Sequence, residues 1–368
     1  MIPAVIHHPL RQEVNGSNDM AKTRIAIFGL NQGGRFGRRA LKNPDCEIVA
    51  VAGFDAKAEE TAAELGAPLY AHYQDVLDNV EIDAAVIALP NELHLPATKA
   101  AVAAGVKFVL VEKPIAPVPE EAQEIIDVCR DNGVTLLVGH QRRSSSLILF
   151  AKQFIESGKL GDIVSLHSSY ALEKNPGYWD DEWHQRPTGG PLLVNAIHDI
   201  DDINNIMNMT PTKVYAAKRS TIRGHEAEDS CSALIEFAEG PTATYFVSDG
   251  TPSPYCFDLL ARSDERFAQA SGENNLYIFG TKGSFGFPNM DFYHYEDEEH
   301  EGWFYPLVYE HFDVEYNHPL QAEVDHFIDL CQGRETVPRC TGEDGMRTLK
   351  IVNAIIESGD TGQVVTIA

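Results

Sequence analysis

The sequence predicts an α/β chain in two parts. A parallel sheet covered by helices comes first, followed by an α+β domain with a large, mostly antiparallel sheet. Two observations carry this. Up to about residue 143, short runs apolar on both faces alternate with helical segments, the pattern of strands buried between helix layers. Beyond Ser146, β-rich segments follow one another, separated only by Gly, Pro and Asp turns. At 368 residues the chain is long enough for two cores.

Taken in order, "RIAIFG" reads as the first strand and "NQGGRFGRRALKN" as a helix opened by glycines. "EIVAVAGFD" is a second strand, and "AKAEETAAELG" a helix that Gly66 ends. "AAVIAL" is followed by the helical "LHLPATKAAVAAG", then "KFVLVE", the helix "PEEAQEIIDVCRDNG" and the strand "TLLVGH". In the second part "DIVSLHSSYAL", "KVYAAKRSTI", "SCSALIEFA", "TATYFVSDG" and "YCFDLLARS" are expected strands, with one clear helix over 191–208. "NLYIFGTKGSFGFP" predicts a hairpin around Thr281–Gly283, and "YEDEEHEGW" a solvated loop. Helices over Pro319–Gln332 and Gly345–Ser358 close the chain. The expected organisation is a flexible extension over 1–21, a nucleotide-binding unit over 22–145, and a sheet-containing substrate and oligomerisation unit over 146–368.

Lys+Arg 29 against Asp+Glu 55 leaves a net charge of −26. Such a surface repels phosphate backbones and anionic lipid, so neither nucleic acid nor membrane is an expected partner. No apolar run approaches the roughly 20 residues of a membrane span. The first 20 residues, "MIPAVIHHPLRQEVNGSNDM", have no sustained apolar core and no small-residue cleavage site. The six scattered cysteines form no CxxC and read as reduced thiols. These features predict a cytoplasmic protein.

The first turn runs Gly29-Leu30-Asn31-Gln32-Gly33-Gly34. Gly29 and Gly34 match the outer glycines of G-x-G-x-x-G, and Asn31 stands at the second. Between a first strand and a first helix, such a turn lets backbone approach a pyrophosphate at the helix N-terminus, as in Rossmann-type sheets. Asn tolerates left-handed dihedrals better than most residues, and Gly33 adds clearance. After the second strand, Asp55 suits a ribose hydroxyl, which favours NAD over NADP; it equally suits a helix cap. "ALPNELH" places Pro90 and Asn91 at the end of another strand, with His94 either contacting a ligand or satisfying helix-start groups. Lys113 ends "FVLVEK" at the edge where ligands bind in open α/β sheets, and is either a cleft residue or a solvated rim lysine.

In "TGGPLLVNAIHDIDDINNIM", helical geometry puts Leu193, Ala196, Ile197, Ile200 and Ile203 on one face. Asn195, His198, Asp199 and Asp202 fall on the opposite face, as either a solvated surface or a site. One helix alone lacks a separated second ligand pair, so no metal is expected. "GYWDDEWHQRP" supplies Trp183 and Arg186, with Trp179 and His184, as a substrate wall or as ordinary loop packing.

Together, the glycine turn, "ALPNELH", "EKPIA", "GHQRR" at 139–143, "GKLGDI", "GGPLLVNAIHDID" and the closing "HFIDLCQGRETVPRC…" stretch make the chain resemble the Gfo/Idh/MocA family of nicotinamide-dependent oxidoreductases. The resemblance runs from about residue 22 to the end. It implies a Rossmann domain, then an α+β domain with an open, largely antiparallel sheet. It implies homodimers or homotetramers formed through the exposed sheet face. It makes Lys113 and His198 catalytic, extends the cofactor set to Glu112, and brings Arg142 to the substrate. The family usually carries Asp three residues before the histidine, where this chain has Asn195. An amide only hydrogen-bonds, so proton transfer falls to His198, Lys113 or both, with Asp199 and Asp202 able to bias His198.

The function implied is an NAD(P)-dependent oxidoreductase acting on a secondary alcohol or ketone of a sugar, inositol or sugar acid. The rival readings are an NAD-dependent glycosidase with no net redox change and a cofactor-binding regulator without turnover.

Overall fold

The computed structural model describes residues 21–262, 264 and 266–367, so the predicted extension lies, but for Ala21, outside the described residues. Two compact units are present. One holds the described residues up to Ser144 together with His318–Leu349; the other holds Ser145–Asn317 and the chain from Lys350 onward.

The first unit runs β1 (Thr23–Phe28), α1 (Gln32–Ala40), β2 (Cys46–Ala52), α2 (Ala58–Leu65), β3 (Leu69–Tyr70), α3 (Tyr73–Asn79), β4 (Ala84–Ile87), α4 (His94–Ala103), β5 (Phe108–Glu112), α5 (Pro119–Asp131) and β6 (Thr135–Gly139). Every strand pair is parallel, in the order β3-β2-β1-β4-β5-β6. The order reverses between β1 and β4, the switch point at which open α/β sheets bind ligands. Burial explains the sequence pattern: all four residues of β4 and the last four of β5 are buried, because helices cover both faces. The helix α5 starts at Pro119 and carries Glu120 and Glu121 in its first turn and Arg130 in its last, charges that suit the peptide dipole.

The second unit contains α6 (Ser146–Glu156), β7 (Ile163–Ala171), α7 (Ile197–Met207), β8 (Pro211–Arg219), β9 (Ser230–Phe237), β10 (Thr242–Ser248), α8 (Phe257–Leu260), β11 (Leu276–Gly280), β12 (Gly283–Phe287), β13 (Asp291–His294) and β14 (Val308–His311). The chain then runs through α9 (Pro319–Cys331), α10 (Gly342–Thr361) and β15 (Val365–Thr366). The second sheet has the order β14-β13-β12-β11-β7-β10-β9-β8-β15, antiparallel except where β10 runs parallel to β7. Phe154 on α6 anchors the helix side of this sheet, stacking on Phe285 at 4.6 Å and meeting Phe292 edge-on at 5.0 Å.

Four expectations need correction. A single unit over 146–368 does not hold, because α9 returns to the first unit. There Phe327 packs edge-on against Phe36 of α1 at 6.1 Å, and Asn43 Nδ2 donates to Asp325 at 2.7 Å. The expected strand "YCFDLLARS" contains the helical turn α8 instead, its apolar Phe257 and Leu260 being buried three residues apart. "SLILFAKQFIE" forms α6, a helix that the β-rich reading of this half passes over. The helix over 191–208 begins as a π turn, Leu192–Ala196, before α7, so a uniform 100° wheel does not describe it.

Candidate active site

The glycine turn closes tightly on the sheet. Gly29 has φ +88°, and a Cβ there would lie 2.2 Å from the Ala88 carbonyl oxygen at the end of β4. A Cβ on Gly33 would meet Ile27 Cγ2 at 2.6 Å, and Gly34 is buried against Thr61. Only glycine lets α1 start this close to β1 and β4. Asn31 flanks the helix at φ −69°, in the right-handed region, so the tolerance of left-handed geometry expected of it is not needed. It is exposed and makes no side-chain cap, and the first turn carries no acid. The N-terminus of α1 therefore keeps unsatisfied N–H groups and the positive end of its dipole open to an anion, which fits a dinucleotide pyrophosphate.

Asp55 is exposed beyond β2, and its carboxylate accepts the Lys57 N–H at 2.8 Å, so it forms the local turn that precedes α2. Exposed Pro90 and half-buried Asn91 follow β4, in the turn Asn91–Leu93. His94, expected among the cofactor ligands, is corrected: its ring is 0 % exposed. Nε2 faces the Leu89 carbonyl at 2.9 Å, and Nδ1 faces those of Pro114 at 3.0 Å and Ile115 at 3.3 Å. His94 thus ties the turn after β4 to the turn after β5. Burial lowers its pKa, and a neutral ring donates to one side only.

Glu112 and Lys113 stand at the end of β5. The Glu112 carboxyl is 6 % exposed, accepts the Lys113 N–H at 3.2 Å and is hydrogen-bonded by the Gln32 side chain. Gln32 Oε1 in turn accepts from Arg35 at 2.8 Å. Glu112 and Gln32 thus engage each other within the fold. Burial pushes Glu112 up to about 7, against the opposing charges of Lys113 and Arg35. Glu323 of α9, also buried, is raised by burial and by the charge of Glu112. Arg142, expected at the substrate, is buried at 4 % exposure in the turn Gln141–Ser144 after β6.

In the second unit, Gly190 and Glu228 make the start of the functional helix. The Glu228 carboxylate accepts the Leu192 N–H at 2.9 Å, and a Cβ on Gly190 would lie 2.3 Å from that carboxylate. Asn195 lies in the π turn and His198 in the first turn of α7, both half-buried. The polar face expected here is not solvated: Asp199 and Asp202 are 3 % and 5 % exposed, and Tyr245 Oη donates to Asp199 at 2.8 Å. Asn195 Nδ2 donates to Tyr170 Oη at 2.9 Å.

The segment 175–189 is a series of short 3-10 turns. Arg223 stacks on Trp179 at 3.8 Å, and Lys174 lies over Tyr178 at 4.2 Å. Both cations pair with the buried Asp249. Trp183 is 42 % exposed, and Arg186 is exposed with Glu182 3.8 Å away. Tyr170, Glu228, Asp249, Arg223 and Glu323 were not singled out by sequence reasoning. Each reaches its partner across a long stretch of chain, and no local spacing signals them.

A reversed-order parallel sheet with a glycine-opened helix at its switch point defines a dinucleotide-binding unit of Rossmann type. Residues 23–140 match the oxidoreductase family with NAD-binding Rossmann fold, Gfo/Idh/MocA, and residues 148–286 match the Gfo/Idh/MocA C-terminal domain. The chain belongs to this family and is an NAD(P)-dependent oxidoreductase. It is 28 % identical over 335 residues to D-xylose 1-dehydrogenase (NADP+) 2 of Haloferax volcanii, covering 89 % of this chain and 94 % of that one. It is 25 % identical to 1,5-anhydro-D-fructose reductase of Ensifer adhaerens, covering 80 % of this chain and 82 % of that one. Among solved structures, myo-inositol 2-dehydrogenase from Lactobacillus plantarum shares the fold with a TM-score of 0.73 at 22 % identity, covering 94 % of this chain and 100 % of that one.

Proposed function

We propose that the chain is a dehydrogenase for a secondary alcohol or ketone of a sugar, inositol or sugar acid, with NAD as the preferred cofactor. The observation that carries this is the placement of Lys113. It directly follows β5, beside β4 with Pro90 and Asn91, which is beside β1 with the glycine turn, all at the carboxyl edge of one sheet. Ligands of such sheets bind at that edge. Asp55 and the lack of an arginine directly after β2 support NAD.

When bound, the nicotinamide supplies the hydride acceptor or donor. The N-terminus of α1, with Gly33 and Gly34, holds the pyrophosphate, and Pro90 and Asn91 line the same edge. Lys113 polarises the substrate oxygen. His198 takes the hydroxyl proton in oxidation and returns it in reduction, a contribution of roughly 10²–10⁴-fold. Asn195 orients a neighbouring hydroxyl, while Trp183 offers an aromatic wall to a sugar's apolar face and Arg186 a charge to a carboxylate.

The protein is further read as a cytoplasmic homodimer or homotetramer. In support, no helix among the described residues is long and apolar enough to cross a membrane. The outer face of the nine-stranded sheet also carries Tyr215, Leu234, Phe279, Tyr293 and Tyr309, each 39 % exposed or more.

The test is a screen of sugars, inositols and sugar acids with NAD+ and NADP+, following formation of reduced nicotinamide. Reduction on one polyol establishes the activity and the cofactor together. Absence of reduction and of the reverse reaction on every compound overturns the dehydrogenase reading.

A further inference from the structure

The amide of Asn195 is held by a chain of two hydrogen bonds whose direction chemistry dictates. Asn195 Nδ2 donates to Tyr170 Oη at 2.9 Å, and Tyr170 Oη donates to Asp258 Oδ2 at 3.1 Å. A carboxylate only accepts, and a phenol has one proton to give. Tyr170 gives its proton to Asp258, so whatever stands at position 195 must donate to the phenol oxygen. That requirement sets which end of the amide points which way. It turns Asn195 Oδ1 aside, buried and with no hydrogen-bond partner in the protein. Tyr170 itself is 1 % exposed, so water does not compete for the chain of bonds. A buried acceptor left without a donor is unfavourable until something supplies one, and its neighbours here are the π turn and His198, three residues on.

We propose that Tyr170 and Asp258 are positioning residues that lock the Asn195 amide with Oδ1 turned towards the ligand, so that the site takes a hydroxyl donor there and is built against an acid at position 195. This rests on the oxidoreductase reading above and extends it. An aspartate at 195 would meet a phenol oxygen whose proton is already given to Asp258, placing two carboxylates on one hydroxyl. Asn195 is therefore the partner that Tyr170 and Asp258 demand rather than a weakened acid. The network also has a reversed form. With an acid at 195 and an amide at 258, the amide at 258 donates to the phenol and the phenol donates to the acid, so both hydrogen bonds of the phenol are kept.

The experiment is a double-mutant cycle on N195D and D258N, read first by thermal melting without ligand at about pH 5 and about pH 8. The introduced carboxyl is disfavoured as an anion, so its folded pKa lies above its unfolded value. Stability is then lost as pH rises, and N195D melts further below wild type at about pH 8 than at about pH 5. In the double variant most of that loss is recovered. Additive melting shifts overturn the lock, because independent sites add. Where N195D yields no soluble protein, recovery of soluble protein by D258N supports the lock, and failure to recover overturns it.

The second readout uses D-xylose and myo-inositol as probes with each dinucleotide. N195D lowers kcat/KM by roughly 10–100-fold, and D258N restores part of it. N195D activity equal to wild type or above it overturns the proposal. The melting cycle needs no substrate, so failure of the wild type to turn over any compound counts against the dehydrogenase reading alone.

Discussion

Lys113 and Glu112 stand side by side at the end of β5 in opposite situations. The carboxyl is buried and hydrogen-bonded within the fold, and the lysine is half-buried at the sheet edge. Their roles separate accordingly. Lys113→Ala is expected to lower kcat by roughly 10²–10⁴-fold while dinucleotide binding, followed by its fluorescence, persists; retained turnover sinks the assignment. Glu112 makes a different contribution, through stability. Burial raises its folded pKa to about 7, above the ordinary carboxyl value of 4.5, so the stability tied to its neutral form is complete below 4.5 and is lost as pH rises to about 7. Glu112→Gln is expected to flatten that slope across the window. Denaturant melts at several pH values check it, and an unchanged slope refutes it. Lys113 was legible in the sequence because a charge ending an apolar run is a local signal. The lock on Asn195 was not, since Tyr170 lies 25 residues from Asn195 and 88 from Asp258.

At the scale of elements, the alternation of strands decides what each face of the second sheet offers. Register pairs Tyr309 with Tyr293, Tyr293 with Ser284, Ser284 with Phe279 and Phe279 with Ser165, a row on the outer face. Tyr277, His167, Thr244, Leu234 and Tyr215 form the next row. Exposed aromatics at this density favour a partner surface. Phe279→Glu combined with Tyr293→Glu is expected to shift the native mass towards monomer with the unit still folded; an unchanged mass excludes this face as the interface. The β-rich character of this half was plain from its composition, but α6 and α8 were hidden there. Their apolar residues, read in isolation, suit a strand as well as a short helix, and only packing against the sheet chooses between them. The π turn at Leu192–Ala196 was equally hidden, because a single residue added to a helical turn leaves no mark on periodicity.

For the whole molecule, a net charge of −26 is a continuous self-repulsion that folding concentrates on one surface. Salt shortens its range from about 30 Å at 0.01 M to about 3 Å at 1 M. The melting temperature is therefore expected to rise with sodium chloride over that interval. A fall would mean that specific ion pairs, such as Arg143 with the Asp344 carboxylate at 2.9 Å, outweigh the general repulsion.

The sequence by itself determined the class of fold, the order of strands and helices in the first sheet apart from the short β3 and α3, the glycine turn and the lysine at the strand edge. These depend on interactions between residues close in the chain, where periodicity and turn chemistry are written directly. Tertiary structure alone decided that α9 belongs with the first sheet, that His94 is a clamp, that Glu112 and Arg142 are buried, and that Asn195 must be a donor to Tyr170. Those outcomes depend on which distant residues share a small, water-poor space. There a hydrogen bond's direction and a carboxyl's charge are set by neighbours that the order of the chain does not reveal.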